Sequence, residues 1–209
     1  RGGRVSTRKQ SDGRDTPYEL NVSYFDAVGE PGGMDAETHA RRFLMTQSVM
    51  LSLAGMPGIY FHSLVGTPNY LEGVEQTGRA RTINRRKYDA AELEAILADA
   101  DGASRRVFDG YRRMLSARIA QPAFHPDADQ AVWDAGDDAV LAVERTSIDG
   151  GQRLLAVANF SAEPRAAAVP DYLQAHEVRD KLAARDVPVS GTKVMLQPFE
   201  ALWRTDLDG

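Results

Sequence analysis

Near residue 127 the hydrophobic pattern changes period, and this switch restricts the fold more than any other feature of the chain. Upstream, Ala40, Phe43, Leu44, Leu51 and Ala54 recur at helical spacing, as do Val107, Phe108, Tyr111, Met114, Leu115 and Ile119. Downstream, residues 139–146, 154–160, 193–196 and 201–204 alternate as short strands, with Asp149-Gly150-Gly151 as a hairpin turn between the first two. The order implies an α/β domain ending near residue 125 with a β-sandwich appended to it.

Within the α/β part, Pro57 and Gly58 stop a helix that Asp35 caps and that should run to about residue 54. The apolar-aromatic run Ile59-Tyr60-Phe61 suits a buried strand over residues 58–63. About twenty residues rich in Gly, Asn, Glu and Arg follow, too many for an ordinary connection and polar enough to hold a ligand. Residues 4–9 and 17–24 read as two strands of a hairpin turning at Ser11-Asp12-Gly13. Asp89 with Glu92 resembles a capping box for a helix through about residue 97, and Ser104 caps another that Pro122 ends.

The 209 residues are 43% hydrophobic and 26% charged, enough to bury a core. A formal net charge of −5 without an extended basic run argues against a nucleic-acid footprint. The absence of cysteine leaves neither a disulfide framework nor a thiolate nucleophile and is compatible with a cytoplasmic location. No stretch approaches the roughly 18 apolar residues of a membrane span. The chain starts without methionine, at Arg1-Gly2-Gly3-Arg4, and runs straight into patterned sequence, as a piece of something longer would.

The loop 63–86 carries Glu72, Glu75, Arg79, Arg81, Asn84, Arg85 and Arg86. Guanidinium groups present several donors in one plane, which suits sugar hydroxyls, carboxylates or phosphates. The alternative is a solvated loop whose arginines pair with Glu72 and Glu75. Tyr18 and Glu19 form a second candidate, an aromatic platform beside a carboxylate, although taken alone they are ordinary strand residues. His39, His62, His125 and His176 lack metal-ligand spacing, so no metal site is expected. A polar residue at the exit of a barrel-type strand tends to face the active site, which singles out His62, although a hydrogen-bonded strand-end histidine is the other reading. Tyr60, Trp133 and Trp203 read as core.

Three stretches together resemble the sucrose phosphorylase branch of glycoside hydrolase family 13, the α-amylase superfamily. They are Pro17-Tyr18-Glu19-Leu20-Asn21 with Tyr24-Phe25-Asp26-Ala27, then Gly55-Met56-Pro57-Gly58-Ile59-Tyr60-Phe61, then Gly78-Arg79-Ala80-Arg81-Thr82-Ile83-Asn84-Arg85. Within the branch, His62-Ser63-Leu64-Val65-Gly66 and Glu72-Gly73-Val74-Glu75 look more like the glucosylglycerate and sucrose-6-phosphate phosphorylases. The resemblance implies that residues 1–126 are the C-terminal part of a catalytic (β/α)₈ barrel with an inserted hairpin at 1–28, and that 127–209 are a C-terminal β-sandwich.

By the same resemblance the parent is a retaining α-glucoside phosphorylase that passes a glucosyl group to phosphate and yields α-glucose 1-phosphate. A glucosidase or transglucosidase of the superfamily, or a non-catalytic carbohydrate-binding remnant, is the alternative. The nucleophilic Asp, the acid/base Glu and the stabilising Asp would lie upstream of Arg1, so no catalytic residue is assigned here and the piece alone should be inactive. Arg81 matches the arginine that contacts the glucosyl ring. Tyr18 and Glu19 match a mobile loop where sucrose phosphorylase tends to have Gln rather than Glu, which puts a fructose acceptor in doubt. Glu19 should therefore face acceptor hydroxyls rather than phosphate. His62 and Asn84 complete the substrate-binding candidates. No cofactor is implied beyond inorganic phosphate as co-substrate. The partners are a small sugar and phosphate, not nucleic acid or membrane, in a monomer or homodimer.

Overall fold

The computed structural model describes residues 1–30, 32–174 and 177–205, so Pro31 and His176 lie outside the described residues. The chain divides into two compact units, Arg1–Phe43 with Ile59–Phe108, and Leu44–Gly58 with Asp109–Gly209. The second unit thus gathers residues 44–58 and 109–126 with the strands, rather than following a break at 126.

The first unit is mixed α/β. It opens with an antiparallel hairpin of β1 (Arg4–Lys9) and β2 (Asp15–Asn21). Its turn places Gly13 at φ 84, open to glycine without strain. The hairpin ends earlier than the sequence suggested, because Ser23 caps a short helix α1 (Tyr24–Val28) by accepting the Asp26 amide. Helix α2 (Ala36–Ser52) follows, with the Asp35 carboxylate accepting the Thr38 amide at 2.8 Å. Phe25 stacks on His39 with ring centroids 3.8 Å apart and meets Phe43 edge-on at 5.3 Å. Gly66 sits at φ 57, where a Cβ would come within 3.0 Å of Val107.

The strand expected over 58–63 is not formed. Tyr60 keeps an extended backbone (φ −75, ψ 135), but a strand needs a hydrogen-bonded neighbour, and among the described residues none lies beside it. From Phe61 the backbone satisfies itself as helix α3 (Phe61–Leu64), with the Leu64 amide donating to the Tyr60 carbonyl at 3.0 Å. Tyr60, expected in the core, is 53% exposed. The polar stretch after it is no irregular loop. It folds as α4 (Leu71–Thr77) and a 3₁₀ turn over Ala80–Asn84, ahead of α5 (Ala90–Ala98). The capping box at Asp89 is absent because Glu92 pairs with Arg86 instead. Helix α6 (Ala103–Ile119) begins one residue before Ser104, and its last apolar residue, Ile119, is exposed.

The second unit holds two four-stranded antiparallel sheets. One orders β3 (Asp129–Trp133), β4 (Val140–Thr146), β5 (Arg153–Asn159) and β10 (Ala201–Thr205) as β10-β5-β4-β3. The other orders β6 (Arg165–Ala168), β7 (Glu177–Asp180), β8 (Arg185–Ser190) and β9 (Lys193–Leu196) as β6-β9-β8-β7. Leu155, Val157 and Leu202 of the first sheet pack with Ala167, Val194 and Leu196 of the second, so the inner faces share one core. Strand β5 is buried on both faces from Leu154 to Asn159, because Met45 packs against Ala158 on the outer side. Burying a Leu or Val side chain contributes about 1.5–3 kcal/mol, so Leu154, Leu155 and Val157 make this strand a large contributor to the unit.

Two cations, the buried Arg145 and the half-buried Arg118, fasten residues 44–58 and the connection after α6 within this unit. Arg145 is fully buried and donates to four carbonyls, at Asp129 (3.1 Å), Ser52 (2.9 Å), His125 (2.9 Å) and Ala128 (3.1 Å). Burial, then the nearby Arg118, holds its pKa below the ordinary arginine value. Arg118 donates to the Leu51 carbonyl at 2.9 Å. Trp203, buried as expected, meets Phe124 edge-on at 4.6 Å.

Candidate functional site

The site is built on the 3₁₀ turn. Gly78 caps α4 in the left-handed region (φ 64), and its amide donates to the Val74 carbonyl at 2.8 Å. Fully buried Ile83 then anchors the turn, its carbonyl accepting the Tyr70 amide at 2.8 Å. With Ile83 inward, Arg79, Arg81 and Arg85 are left exposed. Thr77 Oγ1 donates to the Gly73 carbonyl at 2.7 Å. Having one proton, it must accept from Thr82 Oγ1 at 2.9 Å, which ties the end of α4 to the turn.

The hairpin supplies the opposing wall. Ser6 and Glu19 are cross-strand partners, and the register slips just beyond them so that Tyr18 is left unpaired as a bulge. Glu19 Oε2 accepts from Arg81 Nε at 3.0 Å, joining β2 to the 3₁₀ turn. The Glu19 hydrogen bond and charge, with a smaller contribution from Tyr18, push the Arg81 pKa up. Between the walls lies an open cleft of about 830 Å³, lined by Ser6, Glu19, Thr77, Thr82 and the cations Arg79, Arg81, Arg85 and Lys87. Four cations face one carboxylate there, in a chain whose net charge is −5.

The structure therefore brings together Arg81, Glu19 and Tyr18 of the residues singled out by sequence. His62 and Asn84 do not line this cleft. His62 Nδ1 lies 3.1 Å from Thr67 Oγ1, which also accepts the Tyr88 hydroxyl at 3.1 Å. Its ring meets Tyr60 edge-on at 5.0 Å, and burial pushes its pKa down. Asn84 enters through its carbonyl, which accepts the Tyr60 hydroxyl at 3.1 Å.

The remaining charges of the stretch divide differently from either sequence reading. Glu72 accepts from Gln76 rather than from an arginine. Arg86 pairs with Glu92 and lies over the Tyr88 ring at 4.7 Å, so it is a structural cation. Ser6, Thr77, Thr82 and Lys87 were missed. The register of the hairpin could have pointed to Ser6, since it fixes what lies opposite Glu19.

No family model matches the chain. It is 45% identical over 161 residues to a glucosylglycerate phosphorylase of Spirochaeta thermophila, covering 77% of this chain and 27% of that protein. A glucosylglycerate phosphorylase of Allomeiothermus silvanus is 33% identical over 206 residues, 98% of this chain and 34% of the relative. A sucrose phosphorylase of Agrobacterium vitis is 28% identical over 119 residues, 57% and 22% respectively. The chain thus spans about a third or less of the curated relatives it matches. Among solved structures, trehalulose synthase MutB from Pseudomonas mesoacidophila MX-45 aligns with a TM-score of 0.57 at 18% identity, over 88% of this chain and 41% of that one. An Anoxybacillus α-amylase aligns with a TM-score of 0.58 at 15% identity, over 80% and 32%. Both likenesses concern the fold.

Proposed function

From a chain homologous to glucosylglycerate and sucrose phosphorylases, we propose that these residues are part of a retaining α-glucoside phosphorylase. The similarity to three relatives named for that chemistry carries the reading. In the complete parent, residues 1–126 belong to a (β/α)₈ barrel, the extended backbone at Tyr60 is the stub of its eighth strand, and the sandwich follows from about 127.

Chemically, one carboxylate attacks the anomeric carbon while a second protonates the leaving oxygen, the two about 5–5.5 Å apart. Both are assigned to the part of the parent that these residues do not span, so the 209 residues alone are inert. Phosphate then attacks the glucosyl-enzyme in place of water, and no cofactor takes part. Arg81 orients the glucosyl ring. Its Nε is already held by Glu19 at 3.0 Å, which fixes the plane of the guanidinium and leaves the terminal amines for ring hydroxyls. Tyr18 supplies an apolar face beside that pair, and Glu19 keeps one oxygen for an acceptor hydroxyl. Small α-glucosides such as glucosylglycerate, sucrose 6-phosphate or sucrose are the donors.

The test uses the complete parent with glucosylglycerate, with and without inorganic phosphate. Phosphate-dependent release of α-glucose 1-phosphate is expected. Release of free glucose at the same rate without phosphate would make the parent a hydrolase and overturn the reading.

A further inference from the structure

Glu19 and Arg81 meet across 62 positions of sequence, with both side chains in reach of water. An exposed ion pair contributes little free energy, so this one cannot by itself hold a hairpin against a turn. Their 3.0 Å contact has to be imposed from elsewhere in the first unit.

Residues 69 and 70, between α3 and α4, reach both walls of the cleft. Asn69 Oδ1 accepts the Ser23 amide at 2.7 Å, and the Asn69 amide donates to Asp26 Oδ2 at 2.8 Å. Its Nδ2 donates to the Arg1 carbonyl at 2.9 Å. Arg1 leads into β1 and Ser23 follows β2, so one side chain grips the base of the hairpin on both strands. Tyr70 holds the other wall. Its amide donates to the carbonyl of fully buried Ile83 at 2.8 Å, and Arg86 lies over its ring at 5.4 Å. All of these residues belong to the first unit.

We propose that Asn69 is a positioning residue of the candidate site, which fixes the base of the hairpin to the segment carrying the 3₁₀ turn and thereby sets Glu19 against Arg81. Glu19 lies four residues along the strand from Ser23, a lever of about 13 Å. A tilt of roughly 10° at the base moves its carboxylate by about 2 Å, enough to carry it out of hydrogen-bonding reach of Arg81. Removing the Asn69 side chain would also strip buried Ser23 of the acceptor for its amide, which is costly to leave unmade. The inference rests on the reading of Glu19 and Arg81 as substrate-binding residues, and not on what accepts the glucosyl group.

The test measures kcat/KM of the complete parent for cleavage of its α-glucoside donor, with phosphate or water as acceptor, at a temperature where every variant is folded. Asn69→Ala lowers kcat/KM about tenfold or more in the wild-type background, since misplacements near 1 Å carry losses of that order. In an Arg81→Lys background, where the fork is already lost, the same change costs less than about twofold. A crystal structure of the Asn69→Ala parent shows Glu19 and Arg81 out of contact. If Asn69→Ala does not fold, Asp26→Ala cuts the hydrogen bond to the Asn69 amide and is judged by the same non-additivity, with a first loss of about threefold. Unchanged kcat/KM, an equal fold-loss in both backgrounds, or an intact Glu19–Arg81 contact in the variant overturns the proposal. A parent that hydrolyses its donor overturns the phosphorylase reading and leaves this one standing.

Discussion

On β5 and β10 of the second unit almost every apolar side chain is buried, whereas in the first unit Tyr18, Tyr24, Tyr60 and Phe61 remain roughly half exposed. The polar groups differ in the same sense. Arg145 in the second unit is sealed against four carbonyls, while Arg81 in the first is 55% exposed and meets a single carboxylate. One unit is closed by its own side chains. The other presents aromatic rings and guanidinium groups that its own contacts do not use up, which is what a ligand-binding wall requires and a stability core does not.

That contrast is open to attack by substitution. Trp203→Ala should have the largest effect, removing a fully buried ring packed on Phe124 and costing about 3–5 kcal/mol in urea-induced unfolding followed by far-UV circular dichroism. Arg145→Ala strips four carbonyls of their donor, and a loss of about 3 kcal/mol or more is expected by the same measurement. If either change left the urea midpoint in place, the second unit would not be the closed one.

Arg81→Lys sharpens the other side of the comparison. An exposed ion pair contributes little to stability, so the thermal midpoint should stay where it is. His62 gives the smallest signal. Burial lowers its pKa below the reference value of 6.5, so at pH values between the two the unfolded chain binds more protons than the folded one. The contribution is fully present above about 6.5 and is lost as pH falls through the lowered folded value. A His62→Gln variant should lose this slope in a pH series of urea midpoints, and an unchanged slope would place the titration elsewhere.

How much of this was legible in the sequence follows from how local each signal is. The Asp12-Gly13 turn, the helix after Asp35 and the strands around Asp149-Gly150 are written in neighbouring residues, and they formed within a residue or two of expectation. The run Ile59-Tyr60-Phe61 failed as a strand because strand formation depends on a partner that no local pattern supplies. Strands β3, β6, β7 and β8 escaped notice because they are short and carry Asp, Arg, Pro and Ala where a strand pattern needs apolar or β-branched residues. At the candidate site, the arginines of the 77–87 stretch were visible as composition. Their division into structural Arg86 and cleft-facing Arg79, Arg81 and Arg85 was not, since it depends on Ile83 turning inward and on Glu92 reaching back. Glu19 meeting Arg81 across 62 positions of sequence is likewise a tertiary fact.

The most direct check on the role given to Arg81 is the kinetics of the complete parent, comparing kcat/KM for phosphorolysis of glucosylglycerate before and after Arg81→Lys. An ammonium cannot reproduce the fork that Glu19 holds in plane, so a drop of about 10- to 100-fold or more is predicted, with the thermal midpoint unchanged. Unaltered kcat/KM in the folded variant would contradict the account.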